Sequence, residues 1–219
     1  MPPAPLPHQL GELSELLGQM CAEAAGALNR ATTAMLGDRV RLAEQVIAGD
    51  SEIDNLRARV EELATDALLF HAPVAGDLRA VVSAIRAAGD IERMGDLALH
   101  VAEVVRMRHP RPTLPPEVRD DFARMGVLAV QLALKAAEVV RSRNVLMAVE
   151  LDSDDDAMDV LHRHMFTVLM DPSWPHGVPA AVDITLLARY YERFADHAVV
   201  VANQTVYAVT GQEPDSIPI

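Results

Sequence analysis

The sequence predicts an all-α protein built as two tandem three-helix bundles, and three observations lead to this prediction. Apolar residues recur at steps of three and four along almost all of the 219 residues, while the alternating β-branched runs typical of strands are missing. Half of the residues are apolar, so the chain can bury a core. A motif in residues 91–98 recurs in residues 191–198, which indicates an internal duplication.

The first set of helices follows from three apolar stripes. One stripe runs over residues 10–35 and ends at Gly37. A second runs over 42–67, with Gly49 as a candidate interruption, and a third runs over 81–105. These stripes predict three long helices, which form the first bundle.

A proline-rich linker separates this set from a second one. Beyond it the pattern predicts helices over about 116–141, 144–170 and 180–210, with three prolines marking the last turn. We therefore predict two domains, a first three-helix bundle over 8–109 and a second over 116–211, each with its own core.

The charge balance restricts the classes of partner. Nineteen Lys and Arg against 32 Asp and Glu give a net charge of −13, which repels phosphate backbones and anionic lipid surfaces. Only 4% of the residues are aromatic, too few for base stacking. We expect no nucleic-acid partner, and cations or basic protein surfaces as the natural ones.

Cysteine usage and hydropathy indicate the compartment. The single cysteine, Cys21, excludes a disulfide within the chain and a thiolate metal site. No transmembrane segment is predicted, because no apolar run reaches 18 residues, and the proline-rich start does not resemble a signal peptide. A soluble, cytoplasmic protein is the expectation.

Paired carboxylates recur at matching places in the two halves. Glu92 and Asp96 are one helical turn apart, and Glu192 and Asp196 repeat them 100 residues later. Like charges at this spacing mildly destabilise a helix, so their repetition calls for a reason.

The helical hairpins bring further acids to the same level. Antiparallel packing sets Asp50 and Asp54 near the first pair, and Asp152 and Asp156 near the second. Four carboxylates that converge on facing helices hold hard or borderline cations in other bundles. The alternative is a solvated acidic face, with Arg93 pairing its neighbours and the first aspartates acting as helix caps.

Motifs for catalysis are missing from the sequence. It has no Gly-x-Ser-x-Gly, no phosphate-binding glycine loop and no His-Glu-x-x-His. The Glu-x-x-His partners of di-iron oxidases are also missing. We expect a protein that is not an enzyme and has no organic cofactor.

Several motifs follow one another along the chain: Asp50 with Ile53-Asp54, the segment 73–79, the segment 90–96 followed by Ala102-Glu103, and the segment 191–197 with Asn203. Together they resemble the PhoU family of bacterial phosphate-signalling proteins. The resemblance covers the chain after the first few prolines and implies two three-helix bundles related by pseudo-twofold symmetry. It also implies a non-enzymatic negative regulator that couples the ATPase subunit of a phosphate ABC transporter to a sensor histidine kinase.

Some members of the family carry metal on the repeated acidic motifs. Carried over by position, the ligands here are Glu92, Asp96, Glu192 and Asp196, supported by Asp50, Asp54, Asp152 and Asp156. Iron, zinc, manganese and magnesium are the candidate ions. Tyr190 and Ala195 depart from the pattern, so the first site is expected to be the stronger one.

Other functions remain open on the sequence. A metal-storage or metal-dependent phosphate-handling protein would use the acidic clusters directly, and a helical adaptor would bind no metal at all. The oligomeric state is also open, with a homodimer as one option.

Overall fold

The computed structural model describes residues 4–212, and within this range every regular element is a helix. The first set comprises α1 (Leu6–Leu36), α2 (Val40–Ala48), α3 (Ser51–His71) and α4 (Gly76–Arg108). The second comprises a short 3-10 turn (Pro116–Val118), α5 (Arg119–Ser142), α6 (Val145–Leu169) and α7 (Gly177–Thr210). The prediction of an all-α fold is confirmed.

The second predicted helix is divided in two. The backbone N–H of Gly49 closes α2 by donating to the carbonyls of Gln45 and Val46, and α3 starts two residues later. Glycine is a poor helix former, so the chain breaks where the sequence offered a candidate interruption. Its counterpart α6 is continuous, and Asn144 caps its start by accepting hydrogen bonds from two backbone N–H groups.

Equivalent helices of the two sets pack against each other in antiparallel pairs. Arg119 at the start of α5 donates to the carbonyl of Leu36 at the end of α1. Arg108 at the end of α4 pairs with Asp183 near the start of α7. This arrangement, α1 with α5 and α4 with α7, is the one that pseudo-twofold symmetry requires.

The expectation of two separate cores is wrong. The buried apolar residues of both sets form one continuous cluster, because α1, α4, α5 and α7 bury their apolar faces against one another. A buried hydrogen bond of 2.6 Å between the hydroxyls of Thr32 and Tyr191 also joins α1 to α7. The domain boundaries at the proline linker stay a prediction.

None of the helices within residues 4–212 combines the length and the apolar character that crossing a bilayer requires.

Candidate functional site

The first acidic cluster lies where the start of α3 packs against the middle of α4. Glu92 and Asp96 are half-buried on α4, and Asp50 lies opposite them at the start of α3. Burial raises the pKa of Asp50, and the negative charges of Asp54, Asp96, Glu92 and Glu103 raise it further. The structure therefore brings the four predicted carboxylates of this half together.

Arginines compensate the first cluster. Arg57 of α3 places its Nη1 3.2 Å from Oε1 of Glu92. Arg93 places its Nη1 3.0 Å from Oδ2 of Asp96 and its Nε 3.7 Å from Oε2 of Glu92. The two carboxylates on α4 therefore each have a cationic partner within the chain.

A glycine sets the distance between α3 and α4 at this cluster. A Cβ on Gly95 would lie 2.8 Å from Cδ1 of Ile53, closer than carbon atoms pack. Any side chain at this position would force the two helices or Ile53 to shift. Gly95 therefore holds α3 near enough for its aspartates to face Glu92 and Asp96.

The second acidic cluster lies between α6 and α7. Asp155 of α6 is half-buried and faces Glu192 and Asp196 of α7. Burial raises the pKa of Asp155 to about 7, and the charges of Asp196, Asp159, Asp152 and Glu192 contribute to the increase. A carboxyl with this pKa is partly protonated near neutral pH.

The pKa values of the two acids on α7, Glu192 and Asp196, are raised as well. Burial, followed by the charge of Asp196, raises the pKa of Glu192, although Arg189 opposes this. Burial also raises the pKa of Asp196, with Asp159 contributing and Arg189 opposing. Arg189 is the cation that contacts Glu192, through a hydrogen bond from its Nη1 to Oε1.

Two carboxylate oxygens of the second cluster lack partners. Oε2 of Glu192 and Oδ1 of Asp155 are buried and accept no hydrogen bond from any residue of 4–212. His162 on α6 lies 3.9 Å from the other Glu192 oxygen, and burial together with Arg189 lowers its pKa. The imidazole is therefore biased towards its neutral form and gives little compensating charge.

Two pairs of equivalent positions account for the contrast between the clusters. In the alignment of α3 with α6, Arg57 corresponds to Asp159 and Ile53 corresponds to Asp155. The first half thus has a cation and an apolar contact where the second half has two acids. The sequence favours the first site, whereas the two buried carboxylate oxygens without a hydrogen-bond partner among residues 4–212 lie in the second.

Two members of the second cluster, Asp155 and Asp159, are not among the residues predicted from the sequence. The predicted Asp156 is exposed and is not among the charges that raise the pKa of Asp155. Asp155 and Asp159 lie on the face towards α7 instead. The spacing of Asp152, Asp155 and Asp159, three and then four residues apart, is the one-face pattern that identifies them.

The possible metal ligands of the two clusters are side-chain carboxylates and imidazoles. As they are placed, no three His, Cys, Asp or Glu side chains within 4–212 are arranged to hold a metal ion. The chemistry of the donors nevertheless fits a hard or borderline cation, because they are carboxylates and two of their buried oxygens have no partner in this range. In the arrangement observed, the hydrogen bond from Arg189 occupies Oε1 of Glu192.

Comparison with known proteins assigns the family. A model of the PhoU domain matches residues 17–105 and matches again over residues 122–205. The chain belongs to the PhoU family. The two matches confirm the resemblance found in the motifs, and each PhoU domain contains one of the two acidic clusters.

Curated relatives share most of the chain. The phosphate-specific transport system accessory protein PhoU homolog 2 of Mycobacterium tuberculosis is 57% identical over 207 residues, covering 94% of this chain and 97% of the relative. The PhoU homolog 1 of Mycobacterium leprae is 54% identical over 213 residues, covering 96% of each chain. The similarity to mycobacterial PhoU proteins therefore extends over both halves.

Solved structures confirm the PhoU fold. The crystal structure of PhoU from Pseudomonas aeruginosa superposes with a TM-score of 0.84 at 23% identity, covering 95% of this chain and 100% of that one. PhoU from Streptococcus pneumoniae gives a TM-score of 0.80 at 24% identity, covering 98% of this chain and 100% of that one.

Proposed function

We propose that this protein is an accessory regulator of a phosphate-specific transport system. The observation that carries the proposal is the 57% identity, over 94% of this chain, to a mycobacterial protein of that name. In the form proposed, it is a non-enzymatic negative regulator of phosphate uptake and of the phosphate-starvation response. It couples the ATPase subunit of a phosphate ABC transporter to a sensor histidine kinase in the cytoplasm.

The charge of the chain supports binding to protein partners. A net charge of −13 favours docking on basic protein surfaces through long-range attraction. We expect binding to the transporter or kinase to weaken as salt rises, because exposed charges are screened within about 10 Å at 0.1 M salt.

A metal ion is the second part of the proposal. Asp155, Asp159, Glu192 and Asp196 would hold it in the second half, with Asp152 nearby. A bound cation supplies positive charge that stabilises the ionised form of these acids. In the first half, Asp50, Asp54, Glu92 and Asp96 would have to exchange their arginine partners for the ion, so we propose weaker binding there.

The regulatory role is tested in a deletion strain that carries a reporter for phosphate-starvation genes. Deletion should turn the reporter on in phosphate-rich medium, and the wild-type chain should turn it off again. A pull-down from cells grown in high and low phosphate should retain the transporter ATPase and the kinase. A reporter that stays off after deletion contradicts the proposal.

The metal is tested by elemental analysis after incubation with iron, manganese, zinc or magnesium and desalting. Replacing Glu192→Gln together with Asp196→Asn should remove most of the bound metal, and Glu92→Gln with Asp96→Asn should remove less. Asp156→Asn is the matched control on α6, since this acid is exposed and lies outside the second cluster. Wild-type protein that retains none of the four metals rules the metal out.

The alternative is a protein that stores metal or handles phosphate through bound metal. The raised pKa values of Asp155, Glu192 and Asp196 favour it, since such acids release protons when a cation binds. If the deletion leaves the reporter off while the purified protein binds metal, this alternative replaces the regulator. If the variants that bind no metal still repress the reporter fully, the regulator acts as a helical adaptor without metal.

A further inference from the structure

Arg189 contacts the second acidic cluster from within the same helix as two of its acids. Its Nη1 donates a hydrogen bond to Oε1 of Glu192, one turn further along α7. The side chain of Arg189 is 50% exposed. The guanidinium therefore lies at the edge of the cluster, with one side against a buried carboxylate and the other side in solvent.

The carboxylate that Arg189 contacts is only half satisfied. Glu192 is 8% exposed, and its second oxygen, Oε2, is buried and accepts no hydrogen bond from residues 4–212. On the facing helix α6, Oδ1 of Asp155 is buried and unpaired in the same range. Buried carboxylate oxygens without donors are unfavourable, so a single guanidinium does not satisfy this cluster. Two oxygens, one on each helix, are left for another cation.

The charge balance of the cluster favours a divalent cation over the guanidinium. The acids whose charges act on one another here are Asp152, Asp155, Asp159, Glu192 and Asp196. Arg189 is the largest opposing charge on both acids of α7, and His197 and Arg193 act more weakly on one of them. An excess of carboxylates gains more from an ion of charge +2 than from one group of charge +1.

The first half of the chain supplies its cation in a different way. At the 100-residue repeat, Arg189 corresponds to Gly89, and Glu92 is contacted instead by Arg57 of α3. That ion pair joins two helices. The pair of Arg189 with Glu192 lies within α7, so its release breaks no ion pair between α6 and α7. The half-exposed Arg189 can therefore leave its carboxylate without loosening the contact between the helices.

We propose that Arg189 is an internal competitor for the metal of the second cluster, which it leaves for solvent when a divalent cation binds to Glu192. Arg189 acts in this way only if the second cluster binds metal, as proposed above for the function of the protein. The exchange replaces an ion pair within α7 by ligands from both α6 and α7, so it links the two helices. Arg189 thereby sets the metal concentration at which the second half responds.

The test measures Mn²⁺ binding to the purified full chain. The parent chain for all titrations carries Glu92→Gln with Asp96→Asn, which suppresses binding at the first cluster. The electron paramagnetic resonance signal of free aqueous Mn²⁺ is lost on binding, so a titration gives the dissociation constant. We expect Arg189→Gln to bind Mn²⁺ about tenfold more tightly than the parent chain, because no guanidinium has to be displaced.

Two variants separate displacement from a general change of charge. Arg193→Gln removes the same charge one turn further along α7, where the side chain is exposed and acts only weakly on Asp196. It should change the affinity by less than about threefold. Arg189→Lys keeps a positive charge beside Glu192 and should also stay within about threefold of the parent chain.

A second measurement follows the side chain of Arg189 directly. In parent chain labelled with ¹⁵N-arginine, the Nε–H signal of Arg189 is assigned by its loss in Arg189→Lys. Saturation with Zn²⁺, which is diamagnetic, should move this signal to the position of solvated arginine, because the guanidinium has left Glu192. A guanidinium that serves only to stabilise α7 would keep its signal in place.

The outcomes for Arg189 are distinguishable from those for the metal site. If the parent chain binds Mn²⁺ and Arg189→Gln binds it no more tightly, Arg189 is not a competitor and the metal site stands. If neither chain binds Mn²⁺, both the competitor and a manganese site at the second cluster are ruled out. Binding by Arg189→Gln alone supports the competitor. If Arg189→Gln fails to fold, an Arg189 signal that stays in place at Zn²⁺ saturation overturns the proposal.

Discussion

Asp155 lies half-buried among other carboxylates, and its burial, followed by the charges of Asp196 and Asp159, raises its pKa to about 7. In the unfolded chain the same carboxyl has its ordinary pKa of 3.8. The folded state therefore holds this proton more tightly than the unfolded state does. Between about pH 4 and pH 7 the unfolded chain loses the proton first, so this group lowers the stability of the protein as pH rises.

We predict that Asp155→Asn increases the free energy of unfolding by about 1–2 kcal/mol at pH 8. This gain is smaller than the free energy that corresponds to the whole pKa shift, because solvent screens the charge of a half-buried group. The gain should shrink to less than half at pH 5, where the folded state is already protonated. Urea denaturation in the presence of a chelator measures both values. Asp156→Asn is the control and should change stability by less than about 0.5 kcal/mol; an equal gain at both pH values contradicts the assigned cause.

The acids on α7 could be predicted from the sequence, and those on α6 only in part. Glu192 and Asp196 repeat a motif, so their helical face follows from their spacing. Which of the aspartates on α6 faces them depends on the rotation of that helix about its own axis. Alignment with Asp54 points to Asp156, whereas the packing of α6 half-buries Asp155 and sets the exposed Asp159 near enough to raise the pKa of Asp155.

At the scale of helices, Arg108 and Asp183 connect the end of α4 to the start of α7. The side chain of Asp183 is 10% exposed and that of Arg108 is 23% exposed. Removing one partner of such a pair leaves a buried charge uncompensated, which costs more than the pair itself contributes.

We predict that Arg108→Met lowers the free energy of unfolding by about 2–4 kcal/mol, whereas Arg108→Met combined with Asp183→Leu recovers most of the loss. Two apolar side chains of similar size then pack where the ions were. Arg106→Met is the control, because Arg106 is half exposed and pairs with Glu103 at the surface. A double-mutant cycle measured by chemical denaturation gives the coupling free energy between Arg108 and Asp183. A double variant that is less stable than Arg108→Met contradicts the expected recovery of stability.

Helix boundaries were predicted closely because the apolar period is strong and prolines and glycines mark the turns. Gly49 divides α2 from α3, as its position in the stripe indicated. Helix α7 starts three residues earlier than the sequence predicts, because Pro179 lies in the first turn of the helix and not in the preceding loop. Proline is favourable there, because the first N–H groups of a helix have no partner within the helix.

At the scale of the whole molecule, the two halves share one core. The sequence predicted the duplication but not how the two copies pack, because apolar stripes show which faces are buried and not what buries them. Tyr191 illustrates this, because it lies in the second half and its hydroxyl bonds to Thr32 in the first. The contact area between equivalent helices belongs to neither half alone.

We predict that the full chain unfolds in one cooperative transition and that neither half is stably folded alone. Separating residues 1–111 from 112–219 would expose the faces of α1 and α4 that pack against α5 and α7, an apolar surface far larger than soluble monomers tolerate. Each isolated half should show helical circular dichroism with a broad, non-cooperative melt, and mixing the two halves should restore a sharp one. The intact chain measured at the same concentration is the control. If either half alone melts sharply, its helices form an independent core and the shared core is not needed for folding.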